Sequence, residues 1–68
     1  MDEEAFAASI RKFLRTVGVG SQKNIEDAVG KAVRDGTIAG TESLPVSMTL
    51  EIPGLAVRVT FDGELKLQ

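Results

Sequence analysis

The sequence predicts a small α+β protein in which two N-terminal helices pack on a C-terminal antiparallel β-hairpin or three-stranded sheet. Apolar residues recur with a helical period over the first half of the chain and with the two-residue period of a strand over the second half. Glycine-containing stretches separate these periodic segments. We expect one domain over residues 1–68, with helices at about 3–17 and 22–35 and strands at about 46–52, 55–61 and 64–67.

The first helix has a start signal, one apolar face and a stop signal. Asp2 is a good N-cap, and the acidic residues that follow it suit the positive end of the helix dipole. Gly18 stands where a glycine in the left-handed conformation would end the helix. The predicted apolar face consists of Phe6, Ile10, Phe13, Leu14 and Val17.

The second helix is predicted to begin after Ser21, whose hydroxyl would cap it. Its last turn is followed by Gly36, which we expect to end the helix in the left-handed conformation. Its predicted apolar face consists of Ile25, Ala28, Val29, Ala32 and Val33.

After a loop over residues 37–45, apolar residues alternate with polar ones on either side of Pro53-Gly54. Symmetric pairing about this turn places eight apolar residues on one face of the hairpin. We expect a four-residue loop over residues 52–55 rather than a tight two-residue turn, because L-Pro-Gly suits the twist of a two-residue hairpin poorly. The expected partners are Ile52 with Leu55, Leu50 with Val57, Met48 with Val59 and Val46 with Phe61.

The last residues leave two alternatives open at Asp62-Gly63. The second strand runs on with a kink at Gly63, or the chain turns back there to form a third strand over residues 64–67.

The composition argues against most catalytic chemistry. The chain has no cysteine and no histidine, and it therefore lacks thiolate metal sites, disulfides and the commonest general base near neutral pH. The acidic residues have ordinary explanations at a helix start or on a polar helix face. We expect no enzyme activity, no cofactor and no metal ion.

The charge balance and the absence of long apolar runs bound the partners further. The net charge is −2, whereas dedicated nucleic-acid binders are usually basic, since neutralising phosphates supplies most of their affinity. No stretch has the roughly 18 apolar residues that spanning a bilayer requires. Because the chain begins with its own Met1 and has no signal-peptide pattern, we expect a complete cytoplasmic protein without membrane attachment.

The stretch GVGSQKNIEDAVGKAVRDGTI resembles the recognition-helix segment of winged-helix transcription regulators. The matching positions are a capping serine at Ser21, the aliphatic Ile25, the pair Ala28-Val29, and Gly36 followed by Ile38. The resemblance implies that the exposed first turn, Gln22, Lys23 and Asn24, meets base edges. A basic surface formed by Lys23, Lys31, Arg34 and the ridge of Arg11 and Arg15 would favour this interpretation.

A second resemblance covers nearly the whole chain. The stretches SIRKFL and VGVGSQ, with MTLEI downstream, are similar to a family of short bacterial proteins described as a domain of unknown function. This resemblance implies a small domain and no assigned site residues. We therefore expect a non-enzymatic module that binds another protein or forms a homodimer, with a winged-helix-like DNA-binding regulator as the alternative.

Overall fold

The computed structural model describes all residues, Met1–Gln68. The chain divides into two compact units, Met1–Asp35 and Gly36–Gln68. The first unit is one helix, α1 (Glu3–Arg34). The second is an antiparallel hairpin of β1 (Ser43–Ile52) and β2 (Val57–Lys66), joined through a short 3₁₀ turn, Pro53–Leu55. The α+β class is confirmed, with one helix and two strands.

The prediction of two helices is wrong, because α1 runs without a break through Gly18 and Gly20. A glycine ends a helix by taking a positive φ, and neither of these two glycines does so. The hydroxyl of Ser21 donates to the carbonyl of Val17, four residues earlier, and does not cap a new helix. Each glycine costs the helix about 1 kcal/mol relative to alanine, which weakens the helix without ending it.

Both outer ends of α1 follow the sequence signals. The Asp2 carboxylate accepts hydrogen bonds from the backbone N–H groups of Glu4 and Ala5, both at 3.1 Å, and satisfies two donors of the first turn. At the other end, the N–H of Asp35 donates to the carbonyl of Lys31 at 2.9 Å. Gly36 follows with φ +77° and turns the chain out of the helix, as predicted.

The hairpin pairs two residues out of the predicted register. Ile52 lies opposite Val57 rather than Leu55, and every later pair shifts in the same way. The cause is the loop, which holds four residues between the paired ends: one 3₁₀ turn and then Ala56 in the left-handed conformation. A shift of two residues leaves every side chain on its predicted face, because the side-chain period of a strand is also two.

The strands are longer than predicted. β1 begins at Ser43 and includes Pro45, which the sequence pattern places in a loop. The Leu67 N–H donates to the carbonyl of Glu42 at 3.0 Å, so Glu42 and Leu67 form a hydrogen-bonded pair. Hydrogen-bonded and non-hydrogen-bonded pairs alternate along an antiparallel ladder, and the pair Pro45–Glu64, three positions further on, is therefore non-hydrogen-bonded. Proline has no N–H to lose at such a position, and a strand can therefore contain it.

β2 continues through Asp62 and Gly63 to Lys66, with Gly63 paired to Val46. The alternative of a third strand is therefore wrong, and the alternative of a continuing strand is confirmed. The strand does not require glycine at position 63, because an added Cβ would only touch Val46 at an ordinary 3.5 Å.

Candidate protein-interaction surfaces

The helix carries an apolar face that nothing within its own unit covers. No residue of α1 is buried, and Phe6 and Phe13 each keep 52% of their surface exposed. Leu14, beside Phe13, is 58% exposed. Steps of three and four residues place the large side chains on one side of the helix. We call this set the helix face, namely Phe6, Ile10, Phe13, Leu14, Val17, Ile25, Ala28, Val29, Ala32 and Val33.

The hairpin carries a second apolar surface. Strand alternation and the register place the even-numbered residues of β1 and the odd-numbered residues of β2 on one side. No residue of either strand is buried, and Phe61 and Met48, which lie opposite each other, are 61% and 43% exposed. We call this set the hairpin face, namely Leu44, Val46, Met48, Leu50, Ile52, Val57, Val59, Phe61 and Leu65.

The other side of the hairpin is polar and has cross-strand hydrogen bonds. The hydroxyls of Thr49 and Thr60 lie 3.2 Å apart, and Ser43 donates to the carboxylate of Glu64. Glu51 lies directly opposite Arg58. The hairpin is thus amphipathic.

The middle of the helix face is unusually small. Val17 and Ser21 occupy its centre, with Gly18 on one side and Gly20 on the other. A methyl group added to either glycine would meet no atom within 4 Å. No contact within the chain therefore requires glycine at position 18 or 20, although each glycine weakens the helix.

Charges alternate in blocks along α1. The first turn is acidic and the last turn is basic. Between them lie a basic block, Arg11 to Arg15, and an acidic pair, Glu26 and Asp27. The two ion pairs of the chain join Lys23 to Asp27 at 3.3 Å and Lys31 to Asp35, and neither involves Arg11 or Glu26. These pairs are exposed, and each contributes a few tenths of a kcal/mol to the helix.

Four of the predicted nucleic-acid-binding residues, Lys23, Asn24, Lys31 and Arg34, lie within about 100° of one another around α1, and Gln22 lies outside that side. Gln22, Lys23 and Asn24 lie in the interior of a continuous helix, where successive side chains point about 100° apart. Lys23 and Lys31 are engaged in ion pairs with aspartates. Arg34 lies in the last turn. The exposed first turn that a recognition helix would present is absent, and contact of these side chains with DNA stays a prediction.

The loop between α1 and β1 contains a compact carboxylate site that the sequence reasoning missed. The Glu42 carboxylate accepts hydrogen bonds from the N–H groups of Ala39 at 2.7 Å, Gly40 at 2.8 Å and Thr41 at 3.0 Å. These donors, that of Ala39 above all, hold the pKa of Glu42 below its usual range. Gly40 has φ +93°, which turns the backbone around the carboxylate. In the sequence, the sign of this turn is Gly40 two residues before the acidic Glu42.

The structure contains neither a metal-binding cluster nor a membrane-spanning helix. No group of three or more acidic, histidine or cysteine side chains is placed to hold a metal ion. The helix is not apolar enough over any sufficient length to span a membrane.

The fold and its surfaces define a small α+β protein with one amphipathic helix and one amphipathic hairpin. The family model of DUF6494, described as a family of unknown function, matches residues 1–68, and the chain belongs to this family. The resemblance to a short domain of unknown function is thereby confirmed, whereas nothing supports the resemblance to winged-helix regulators. No curated protein and no solved structure matches the chain.

Proposed function

We propose that this protein is a non-enzymatic module that works by binding protein, either another chain or a copy of itself, through its apolar faces. One observation carries the proposal: the chain has two apolar faces, yet no side chain in either unit is buried. Soluble proteins that act alone rarely leave contiguous apolar patches of more than a few hundred Å² in water, and larger patches mark interaction sites.

The energetic gain from covering these faces is large relative to the stability of so small a chain. An aromatic side chain offers about 200 Å², and the exposed half of Phe13 is therefore about 100 Å². Removing that area from water stabilises a complex by about 2.5 kcal/mol. A 68-residue chain is marginally stable, and a few such side chains decide whether it folds alone or with a partner.

The chemistry of the polar groups supports the non-enzymatic part of the proposal. The chain has no histidine or cysteine to act as a base or a nucleophile. The Glu42 carboxylate, whose pKa is lowered, already accepts three backbone hydrogen bonds and orders a turn. These hydrogen bonds favour the ionised form of Glu42 and leave its carboxylate bound to the backbone, which suits a structural role.

Sedimentation of the purified chain from about 1 μM to 1 mM tests the proposal. We expect a mass above that of the 7.2 kDa chain, rising with concentration. A monomer that unfolds with little cooperativity would instead indicate a different protein as the partner. A monomer with cooperative unfolding at every concentration would contradict the proposal, since its apolar faces would then need no partner.

A further inference from the structure

We infer that the occupant of the helix face is a second copy of the same chain, with the two α1 helices antiparallel about a two-fold axis near Gly18-Val19. The inference rests on the proposed function and specifies the partner and the geometry. Three observations on α1 carry it: the extent of the helix face, the order of charges along the helix, and the small residues at its centre.

The helix face is large enough for a stable dimer. A helix of 32 residues is about 48 Å long. Covering one apolar side over that length removes on the order of 800 Å² per protomer from water, which is the share of each partner in an interface of standard size. In a two-fold dimer the same patch of each subunit forms the interface, and that patch must therefore be complementary to itself.

The charge order of α1 has this self-complementarity. The midpoint of Glu3–Arg34 lies between residues 18 and 19, because 3 + 34 = 37, and an antiparallel pair therefore sets residue n beside residue 37 − n of the partner. Arg11 then lies beside Glu26 of the second copy. Fifteen residues, about four turns, separate the two along the chain, which sets them about 60° apart around the helix and on the same side of the helix face.

The two-fold axis brings that edge of one helix against the same edge of the other, and the Arg11–Glu26 contact forms twice. The antiparallel arrangement also places the acidic first turn near the basic last turn of the second copy, with opposite helix dipoles adjacent. A parallel pair would set Arg11 beside Arg11 and Glu26 beside Glu26. The charges thus favour a second copy in one orientation.

The glycines acquire a role in this arrangement. The axis passes beside Gly18, and the partner residue beside Gly20 is Val17. Glycine permits the closest approach of two backbones, and the empty space around both Cα atoms provides the room. Gly18 and Gly20 weaken the isolated helix, but in the dimer they let the two helices meet.

Charge reversal tests the predicted pair. Arg11→Glu and Glu26→Arg each place like charges side by side, and we expect each to raise the dimer dissociation constant about tenfold, with the double variant returning to within about threefold of the original protein. Lys12→Glu is the matched control, since it makes the same charge change at the next residue, which lies on the side of α1 opposite the helix face. Equal weakening by Arg11→Glu and Lys12→Glu, without rescue in the double variant, would overturn the inference.

Cross-linking tests the orientation directly, because the chain has no cysteine of its own. Glu3→Cys and Arg34→Cys chains are mixed and treated with a bis-maleimide that spans about 8 Å. An antiparallel dimer predicts the mixed product only, since identical positions lie about 46 Å apart. Self-linked products, or a dimer without cross-links, would overturn the inference and leave the proposed function intact. A cooperatively folding monomer would overturn both.

Discussion

At the scale of single residues, the least expected feature is the pair of glycines inside a helix. Gly18 and Gly20 each lower helix stability, and neither makes a close contact within the chain. Glu42 is the converse case, a residue whose side chain makes three backbone hydrogen bonds in a loop that looked featureless in the sequence. Both give residue-level predictions.

Gly18→Ala is expected to act in opposite directions on the helix and on the dimer. The helix gains about 1 kcal/mol, because alanine has the higher helix propensity and its methyl group has free space. The dimer weakens, because the methyl group occupies the position of closest approach. Circular dichroism at low concentration and sedimentation at high concentration separate the two effects.

Gly30→Ala is the control for this substitution. Its methyl group would lie 3.2 Å from the mobile guanidinium of Arg34, away from the helix face. We expect it to raise helicity and leave association unchanged. If Gly18→Ala strengthened the dimer as well as the helix, the crossing point would lie elsewhere.

The Glu42 turn is expected to depend on pH. The pKa of Glu42 is lowered in the folded chain, chiefly by the N–H of Ala39, and the turn is therefore fully stabilised above the ordinary glutamate pKa of about 4.3. That stabilisation is lost as the pH falls through the lowered folded pKa. NMR titration of the Glu42 carboxyl carbon should give an inflection below the ordinary value, followed by the amides of Ala39 and Gly40. In Glu42→Gln those amides should no longer titrate there, and an inflection at the ordinary value would contradict the prediction.

At the scale of elements, the hairpin owes its register to its loop. Ala56 has φ +53°, a conformation that costs an alanine about 1 kcal/mol and that glycine adopts freely. The four-residue loop that contains Ala56 sets Ile52 opposite Val57. The loop chemistry is thus suboptimal at one residue, and that residue is a point at which the hairpin can be stabilised.

Ala56→Gly is expected to raise the free energy of unfolding by about 0.5–1 kcal/mol, as measured by urea denaturation. Gly54→Ala is the matched control in the same loop. Gly54 has no positive φ and no neighbour within 4 Å of an added methyl group. A loss of stability in Ala56→Gly, with no change in Gly54→Ala, would mean that the left-handed residue carries no strain.

At the scale of the whole molecule, the two units share one property, an apolar face that its own unit does not cover. A chain that folds by covering such faces with a second copy has a stability that depends on its concentration. We expect the thermal unfolding midpoint to rise with each tenfold increase in concentration, in steps equivalent to about 1.4 kcal/mol for a dimer. Arg11→Glu should lower the midpoint at a given concentration, whereas a midpoint independent of concentration would contradict self-association.

The sequence alone determined the nature of the elements, because helix and strand periods are local properties of the residue pattern. The outer ends of α1 and the apolar sides of the helix and the hairpin followed from it, and so did the family. The residues of both apolar faces were predictable to the same extent, but the sequence did not predict that each unit leaves its own face uncovered. The sequence did not identify the turn around Glu42, since backbone donors converge there only once the loop is folded.

Three features were decided only by the structure. A glycine inside a helix costs about 1 kcal/mol relative to alanine. The free energies of a helix that stops at Gly18 and of one that runs on to Arg34 differ by a similar amount, and the glycine alone therefore does not decide between them. A shift of two residues keeps every strand residue on its face, and the alternation therefore cannot distinguish Ile52–Val57 from Ile52–Leu55. Asp62-Gly63 suits a turn as well as a strand. In each case the local pattern was compatible with two answers: the helix ran on through its glycines, the loop set the register, and pairing of Gly63 with Val46 continued the second strand.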